Sequence, residues 1–152
     1  MSSQESFSFE DMKQIRRNRL GSSVPLELFR AIRLIGMYQG LPLHGKGTTT
    51  VIGKTIGESL PVHTVDEFLC LFKELKIGIP SIIRQEQSSM RIAVDDCFCE
   101  GIPQHDGKFV CDLEGSIIEG ALAKLLNKQV NVREVMCNVN GDARCEYEVK
   151  FH

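Results

Sequence analysis

Apolar positions along the chain change period three times, and the changes divide it into elements. From Pro25 to Gln39 they recur at helical turns (Leu26, Phe29, Ile32 or Arg33, then Tyr38), with Pro25 suited to helix entry and Gly40-Leu41-Pro42 closing the segment. Residues 1–8 are polar and expected to fray, and Phe9 to Leu20 carries a looser helical side of Met12, Ile15 and Leu20 before Gly21-Ser22-Ser23. Gly45 to Leu60 is rich in Gly and Thr and takes no firm assignment. Val51, Ile52, Ile56 and Leu60 have helical spacing there, which would put Gly53 and Gly57 on one face, open to a close neighbour. Thr64-Val-Asp-Glu67 has the form of a capping box. The helix it opens runs through Phe68, Leu71, Phe72 and Leu75, with Gly78 as its expected stop.

After Pro80 the period falls to two. Ser81–Gln87 and Met90–Asp96 predict a hairpin, with Met90, Ile92 and Val94 on one face. Cys111–Asn127 returns to helical spacing, with Leu113, Ile117, Ala121 and Leu125 in one row and Ile118, Leu122 and Leu126 in another. Gly115 and Gly120 inside it each cost about 1 kcal/mol relative to Ala, so they mark close packing or a ligand wall. Val130–Cys137 and Arg144–Phe151 predict a second hairpin. Its last strand alternates Cys145, Tyr147, Val149 and Phe151 with Arg144, Glu146, Glu148 and Lys150. The order helices, hairpin, helix, hairpin predicts an α+β fold, a four-stranded antiparallel sheet of two hairpins covered by helices. Residues 1–20 are then a partly helical N-terminal arm and residues 21–152 a single domain.

Totals narrow the function classes. A chain of 152 residues is long enough to bury a core without staples. Its net charge of −2, with Arg16, Arg17 and Arg19 as the single basic cluster, gives no basis for nucleic-acid binding. No apolar run approaches the roughly 20 residues of a membrane span, and the N-terminus lacks a basic start and apolar stretch, so a cytoplasmic location is expected. Six cysteines in that setting are thiols or metal ligands rather than disulfides.

Three of those cysteines and a carboxylate make a candidate site. Cys137 and Cys145 flank an Asn-Gly-Asp turn, Glu134 precedes Cys137 by three positions, and Cys111 opens the long helix. Three thiolates and a carboxylate suit tetrahedral zinc, with no coordination position left open for catalysis. Glu134 and Cys137 point to opposite faces of a regular strand, so both reach one ion only if the strand bends or ends near Met136. Otherwise the cysteines are buried small hydrophobes and Glu134 a surface carboxylate. Cys97-x-Cys99 supplies a second pair, open to roles as replacement ligands if Glu134 is not one, as a redox couple, or as reactive thiols. Gly47 to Thr55 has five residues between its glycines and no buried strand before them, which excludes a P-loop. His44 and His63 stand alone on loops, and no dinucleotide fingerprint follows a strand.

Cys111, Gly115 and Gly120 in the helix, Glu134-x-x-Cys137, and Gly141-Asp142-x-x-Cys145 together resemble the 4-vinyl reductase domain family over roughly Ile82 to Phe151, more loosely from Leu20 to Leu60. The resemblance implies zinc on Cys111, Glu134, Cys137 and Cys145, the positions that bind it in the family's phenol-sensing activators. It implies a fold shared with haem-based nitric-oxide sensors and vesicle-tethering subunits of Golgi transport. It also implies a pocket for a small hydrophobic or aromatic ligand, and homodimers. Such a pocket is expected beneath the long helix, against Phe68, Phe72, Ile92, Val94, Ile117, Ala121, Tyr147 and Val149. The expected function is a sensory or regulatory ligand-binding domain with structural zinc, favoured over an enzyme. The alternative, catalysis or assistance of tetrapyrrole 4-vinyl reduction, requires a redox cofactor or reductant near Cys97 and Cys99.

Overall fold

A computed structural model describes residues 6–152; the fraying expected of residues 1–5 lies outside them. The first helix, α1 (Phe9–Met12), opens on a reciprocal cap. Ser8 Oγ accepts from the Asp11 N–H at 3.2 Å, and the Asp11 carboxylate accepts from the Ser8 N–H at 2.8 Å. The helix does not continue to Leu20 as its spacing predicts. Met12, Ile15 and Leu20 are exposed, and without a packed neighbour further turns are not stabilised.

Helix α2 (Leu26–Arg30) starts after Pro25 and widens into a π-helical segment, Ala31–Gln39. Of the two residues that could occupy its inward turn, Arg33 is the buried one and Ile32 faces out. A 3-10 turn (Pro42–Gly45) follows, in which Leu43, His44 and Gly45 all adopt left-handed backbone with φ of 54°, 57° and 75°. Only Gly does so without strain. The turn redirects the chain into α3 (Lys46–Ser59) and stacks His44 on Tyr38, ring centroids 4.4 Å apart.

The Gly- and Thr-rich stretch is therefore a helix. Thr49, Thr50 and Thr55 return their hydroxyls to carbonyls one turn back, at 2.6, 3.1 and 2.8 Å. Its glycines serve a contact. A Cβ on Gly53 would collide with Ser116, and one on Gly57 with the carbonyl of Ile117. Both partners lie on α5 (Asp112–Leu126), whose own Gly120 abuts the backbone of Lys54.

Helix α4 (Val65–Glu74) is capped by Thr64 Oγ1, which accepts from the Glu67 N–H at 3.1 Å. The Glu67 carboxylate accepts from the His63 N–H at 3.0 Å rather than from Thr64, so the expected box is half formed. Gly78 is not the stop. Lys76 takes the left-handed position with φ 61°, and the Ile77 N–H closes back on the Phe72 carbonyl at 3.3 Å. Gly78 instead lies where a Cβ would strike Val94.

Strands β1 (Ile79–Gln85), β2 (Ser89–Asp95), β3 (Val130–Met136) and β4 (Cys145–Phe151) form one antiparallel sheet in the order β1-β2-β4-β3. The α5 crossover carries the chain from β2 to the far edge, and β4 then fills the gap between them. Pro80 sits in β1, an edge strand, where its missing N–H costs no ladder bond. The inner face carries Met90, Ile92 and Val94 from β2, and Cys145, Tyr147 and Val149 from β4, all buried. On the outer face Glu148 pairs with Arg84 at 2.6 Å and Arg91 at 3.0 Å, and Glu146 with Arg91 and Arg144 at 2.9 Å.

Ten consecutive residues of α5, Leu113–Leu122, are buried. The helix is enclosed by the sheet on one side and by α3 on another, and Gly115 lets it approach the Tyr147 ring. The eight residues expected to line a pocket all lie in this packed core, and neither of two surface cavities touches any of them. Among the described residues, no helix is long and apolar enough to cross a membrane.

Gly57→Ala is expected to lower unfolding free energy by about 1–3 kcal/mol through overpacking. Gly47→Ala, where a Cβ meets open space, should be neutral or stabilising by up to about 1 kcal/mol. Denaturant unfolding followed by circular dichroism measures both; equal effects would refute the close helix contact.

Candidate metal centre

Four chain segments bring five cysteines to one buried point. Asp96, left-handed at φ 54°, turns the chain out of β2 so that Cys97 and Cys99 both face inward. Arg30 of α2 fixes this segment by donating to the carbonyls of Phe98 and Glu100, both at 2.7 Å. Cys111 occupies the residue before α5, and Cys145 is the first residue of β4. Cys137 follows β3 directly, and its N–H donates to the Asp142 carboxylate across the turn at 2.9 Å. The register of β3 against β4 shifts between Glu134 and Met136. That bulge is the bend required for Glu134 and Cys137 to approach the same place.

The sulfur separations are short. Cys111 lies 3.3 Å from Cys99, 3.6 Å from Cys97 and Cys145, and 3.8 Å from Cys137, while Cys99 lies 3.5 Å from Cys145. A tetrahedral ion with Zn–S bonds near 2.3 Å sets its sulfurs about 3.8 Å apart. The donor set therefore fits a thiolate-bound ion, and these buried cysteines form a cluster able to hold a metal. The donors fall into two groups, Cys97, Cys99, Cys111 and Cys145, and Cys111, Glu134, Cys137 and Cys145. Both the expected tetrad and the expected replacements are thus brought together. Cys97 and Cys99 are buried inside the cluster, and Cys70, the remaining cysteine, is exposed elsewhere.

Hydrogen bonding within the cluster shapes its charge. Bonds from Cys111, then Cys137 and Cys145, draw Cys99 down to about 5, and bonds from Cys111 and Cys145 draw Cys137 to about 6. Burial, followed by the neighbouring Cys137, pushes Glu134 up to about 10. Both Glu134 oxygens accept from the Cys111 N–H, at 3.1 and 3.2 Å. Asn138 Oδ1 lies 3.6 Å from the Cys145 sulfur and 3.8 Å from that of Cys99. Tyr147, fully buried, donates its hydroxyl to the Cys111 carbonyl at 3.0 Å.

One buried ion pair backs the site. Arg33, 2% exposed, meets Glu114, 1% exposed, through two bonds at 2.8 and 3.1 Å, and also donates to the Val110 carbonyl at 2.9 Å. Burial works against the Arg33 charge, but Glu114 holds its pKa above the usual value. Burial pushes Glu114 up against the pull of Arg33. Sequence reasoning missed Arg30, Arg33, Glu114 and Asn138. The one available signal was Arg33 at an inward helical turn, a charge on an apolar face.

Beside the cluster lies a cavity of about 250 Å³ lined by Tyr38, His44, Lys46, Thr50, Phe109, Asp112 and Glu134. Glu134 and Asp112 are its shared wall with the cysteines. A second cavity, of about 300 Å³, lies apart between α4 and the hairpin ends, lined by residues that include Val65, Met90, Leu126 and Phe151.

An α+β domain whose long buried helix is tied to a sheet at a cysteine cluster defines a recognisable class. The chain belongs to the vinyl-4-reductase (4-vinyl reductase) domain family, whose model matches residues 90–151. It is 33% identical over 142 residues to the uncharacterized protein MJ0150 of Methanocaldococcus jannaschii, covering 87% of this chain and 79% of that one. Its fold is similar to a vinyl-4-reductase family protein of the same organism (TM-score 0.65, 18% identity, 94% and 87% covered). It is also similar to the phenol-responsive sensory domain of the transcription activator PoxR with phenol (0.58, 13%, 84% and 75%). A third likeness is trafficking protein particle complex subunit 3 of Naegleria fowleri, covalently bound to palmitic acid (0.64, 14%, 84% and 92%). At these identities the structural likenesses establish the fold.

Arg33→Met leaves Glu114 buried without a partner and is expected to cost about 3–5 kcal/mol in denaturant unfolding. Arg33→Met with Glu114→Leu should recover most of that loss. A single-variant cost under about 1 kcal/mol would refute the role given to the pair.

Proposed function

We propose that this protein is a small-molecule-binding regulatory domain in which the cysteine cluster holds structural zinc. The observation that carries the proposal is the shared wall: Glu134 and Asp112, which flank Cys111 and the start of α5, also line the cavity containing Tyr38, His44 and Phe109. Three aromatic rings with Lys46 and two carboxylates suit a small aromatic molecule bearing one polar group. The volume is below that of drug-sized sites. Leu43 and His44 spend left-handed strain to hold the His44 ring on Tyr38, and strain of that kind collects at binding sites. The PoxR sensory domain with phenol, which shares the fold, supports a ligand of this chemistry.

Zinc would be a fastener in this scheme, with Cys111, Cys137 and Cys145 at its centre. It would hold α5 against β4 and the β3 end, so that the cavity wall keeps its shape. The expected homodimer finds support in Leu28, Ile32 and Ile35, which are exposed on successive turns of one continuous helix.

Elemental analysis of untagged protein is expected to find zinc, and Cys145→Ser should lose it; a metal-free, folded wild type overturns the metal assignment. Single-ring phenols should raise the melting temperature of wild type, by an amount that grows with concentration, and Tyr38→Ala should abolish the shift. No shift in wild type across a panel of such compounds would overturn the cavity assignment. Light scattering should report a dimer that Ile32→Asp with Ile35→Asp converts to monomer.

A further inference from the structure

The donors around Cys111 form two sets, each large enough to complete a tetrahedral shell. Cys97, Cys99, Cys111 and Cys145 have their sulfurs within 4.8 Å of one another, and so do the donor atoms of Cys111, Glu134, Cys137 and Cys145. Cys111 and Cys145 belong to both, with sulfurs 3.6 Å apart. Tetrahedra that share two corners share an edge. This is the topology of two ions bridged by two thiolates.

We propose that the centre binds two divalent ions of the zinc class, bridged by Cys111 and Cys145. Cys97 and Cys99 complete one ion, and Glu134 and Cys137 complete the other. The proposal rests on the assignment of the cluster as a metal site and adds a second ion to it.

Three observations support two ions over one. First, a single tetrahedral ion uses four donors and strands two more beside it, either Cys97 and Cys99 or Glu134 and Cys137. The stranded pair would stay protonated, Glu134 as a neutral acid and the thiols uncharged, and would contribute nothing although it is built into the same cluster. Second, all six donors can ionise together only if cations are present to balance them: with every donor deprotonated, two divalent ions would leave −2 where one would leave −4. Arg33 does not supply the difference, since Glu114 and Asp112 already engage it. Third, the observed edges match. Terminal sulfurs lie 3.3 to 3.8 Å from the shared pair (Cys99 and Cys97 to Cys111, Cys99 to Cys145, Cys137 to Cys111), near the tetrahedral edge of about 3.8 Å. Neither set contains a terminal donor of the other.

The arrangement gives each ion its own attachment. The Cys97-x-Cys99 ion would tie the segment after β2 to the α5–β4 joint, and the Glu134-x-x-Cys137 ion would tie the end of β3 to the same joint. Only the second ion has a ligand in the cavity wall.

The test uses untagged full-length protein purified without oxygen, saturated with zinc, desalted and weighed by native mass spectrometry. Two zinc ions per chain are expected. Cys97→Ser with Cys99→Ser should retain one, and Glu134→Gln with Cys137→Ser should retain one. Wild type loaded with cadmium-113 should give two resonances split by coupling through the shared sulfurs, a readout independent of any variant. Zero zinc overturns this proposal together with the metal assignment beneath it. One zinc at saturation, unchanged in Cys97→Ser with Cys99→Ser, overturns the second ion alone. Two uncoupled resonances overturn the bridge, and iron with acid-labile sulfide overturns the zinc-class assignment.

Discussion

The backbone contact between α3 and α5 is the constraint on which the other features depend. Gly53 and Gly57 on one helix, with Gly120 on the other, bring two main chains together at positions where any side chain would collide. This closeness lets α5 be enclosed while Tyr147 and the sheet press on its opposite side. A helix surrounded in this way has little freedom to tilt or slide. Its first turn, and Cys111 just before it, are thereby fixed relative to β4. A metal held by the cysteine cluster would need that precision, because donors misplaced by an ångström could no longer share an ion.

Legibility of the chain followed periodicity. The alternation of β4 and the two apolar rows of α5 predicted both elements to within a residue or two, because burial imposes periods of two and 3.6 directly on sequence. Gly53 and Gly57 were legible for the same reason once a helix was assumed. The helix stop expected at Gly78 falls earlier, because Lys76 accepts a left-handed backbone that glycine usually takes, while Gly78 is reserved for contact with Val94. The helix expected from Phe9 to Leu20 stops at Met12 for a different reason: its spacing was helical, but beyond Phe9 its apolar side chains Met12, Ile15 and Leu20 stay exposed. Spacing near the hairpin pointed to Glu134, Cys137 and Cys145. Cys97-x-Cys99 was legible as a source of replacement ligands, but the turn at Asp96 and the Arg30 bonds that bring it to the same point were not. The partner of Arg33 was equally hidden, being 81 residues away.

Cluster and cavity are mechanically joined through short, stiff elements. Glu134 holds the Cys111 N–H with both oxygens and presents the same carboxylate to the cavity. Asp112, one residue on, faces the cavity and contacts Arg33 at 3.5 Å. A molecule that pulled on either carboxylate would act on the start of α5, which the ion pair and the sulfurs hold from behind. Binding would then be transmitted along a rigid helix rather than absorbed by a loop.

Crowding five thiols has a consequence in redox terms. Sulfurs 3.3 to 3.8 Å apart are a small side-chain rotation from the roughly 2.05 Å of a disulfide bond. A coordinated cation withholds the electron pairs that oxidation would use. Stripped of it, the same pocket becomes a place where air can form a covalent crosslink between any of several neighbours. Each crosslink would remove two ligands at once and lock the chain in a form unable to reload. Coordination would therefore act as chemical protection, guarding from oxidation the residues it needs for its own assembly.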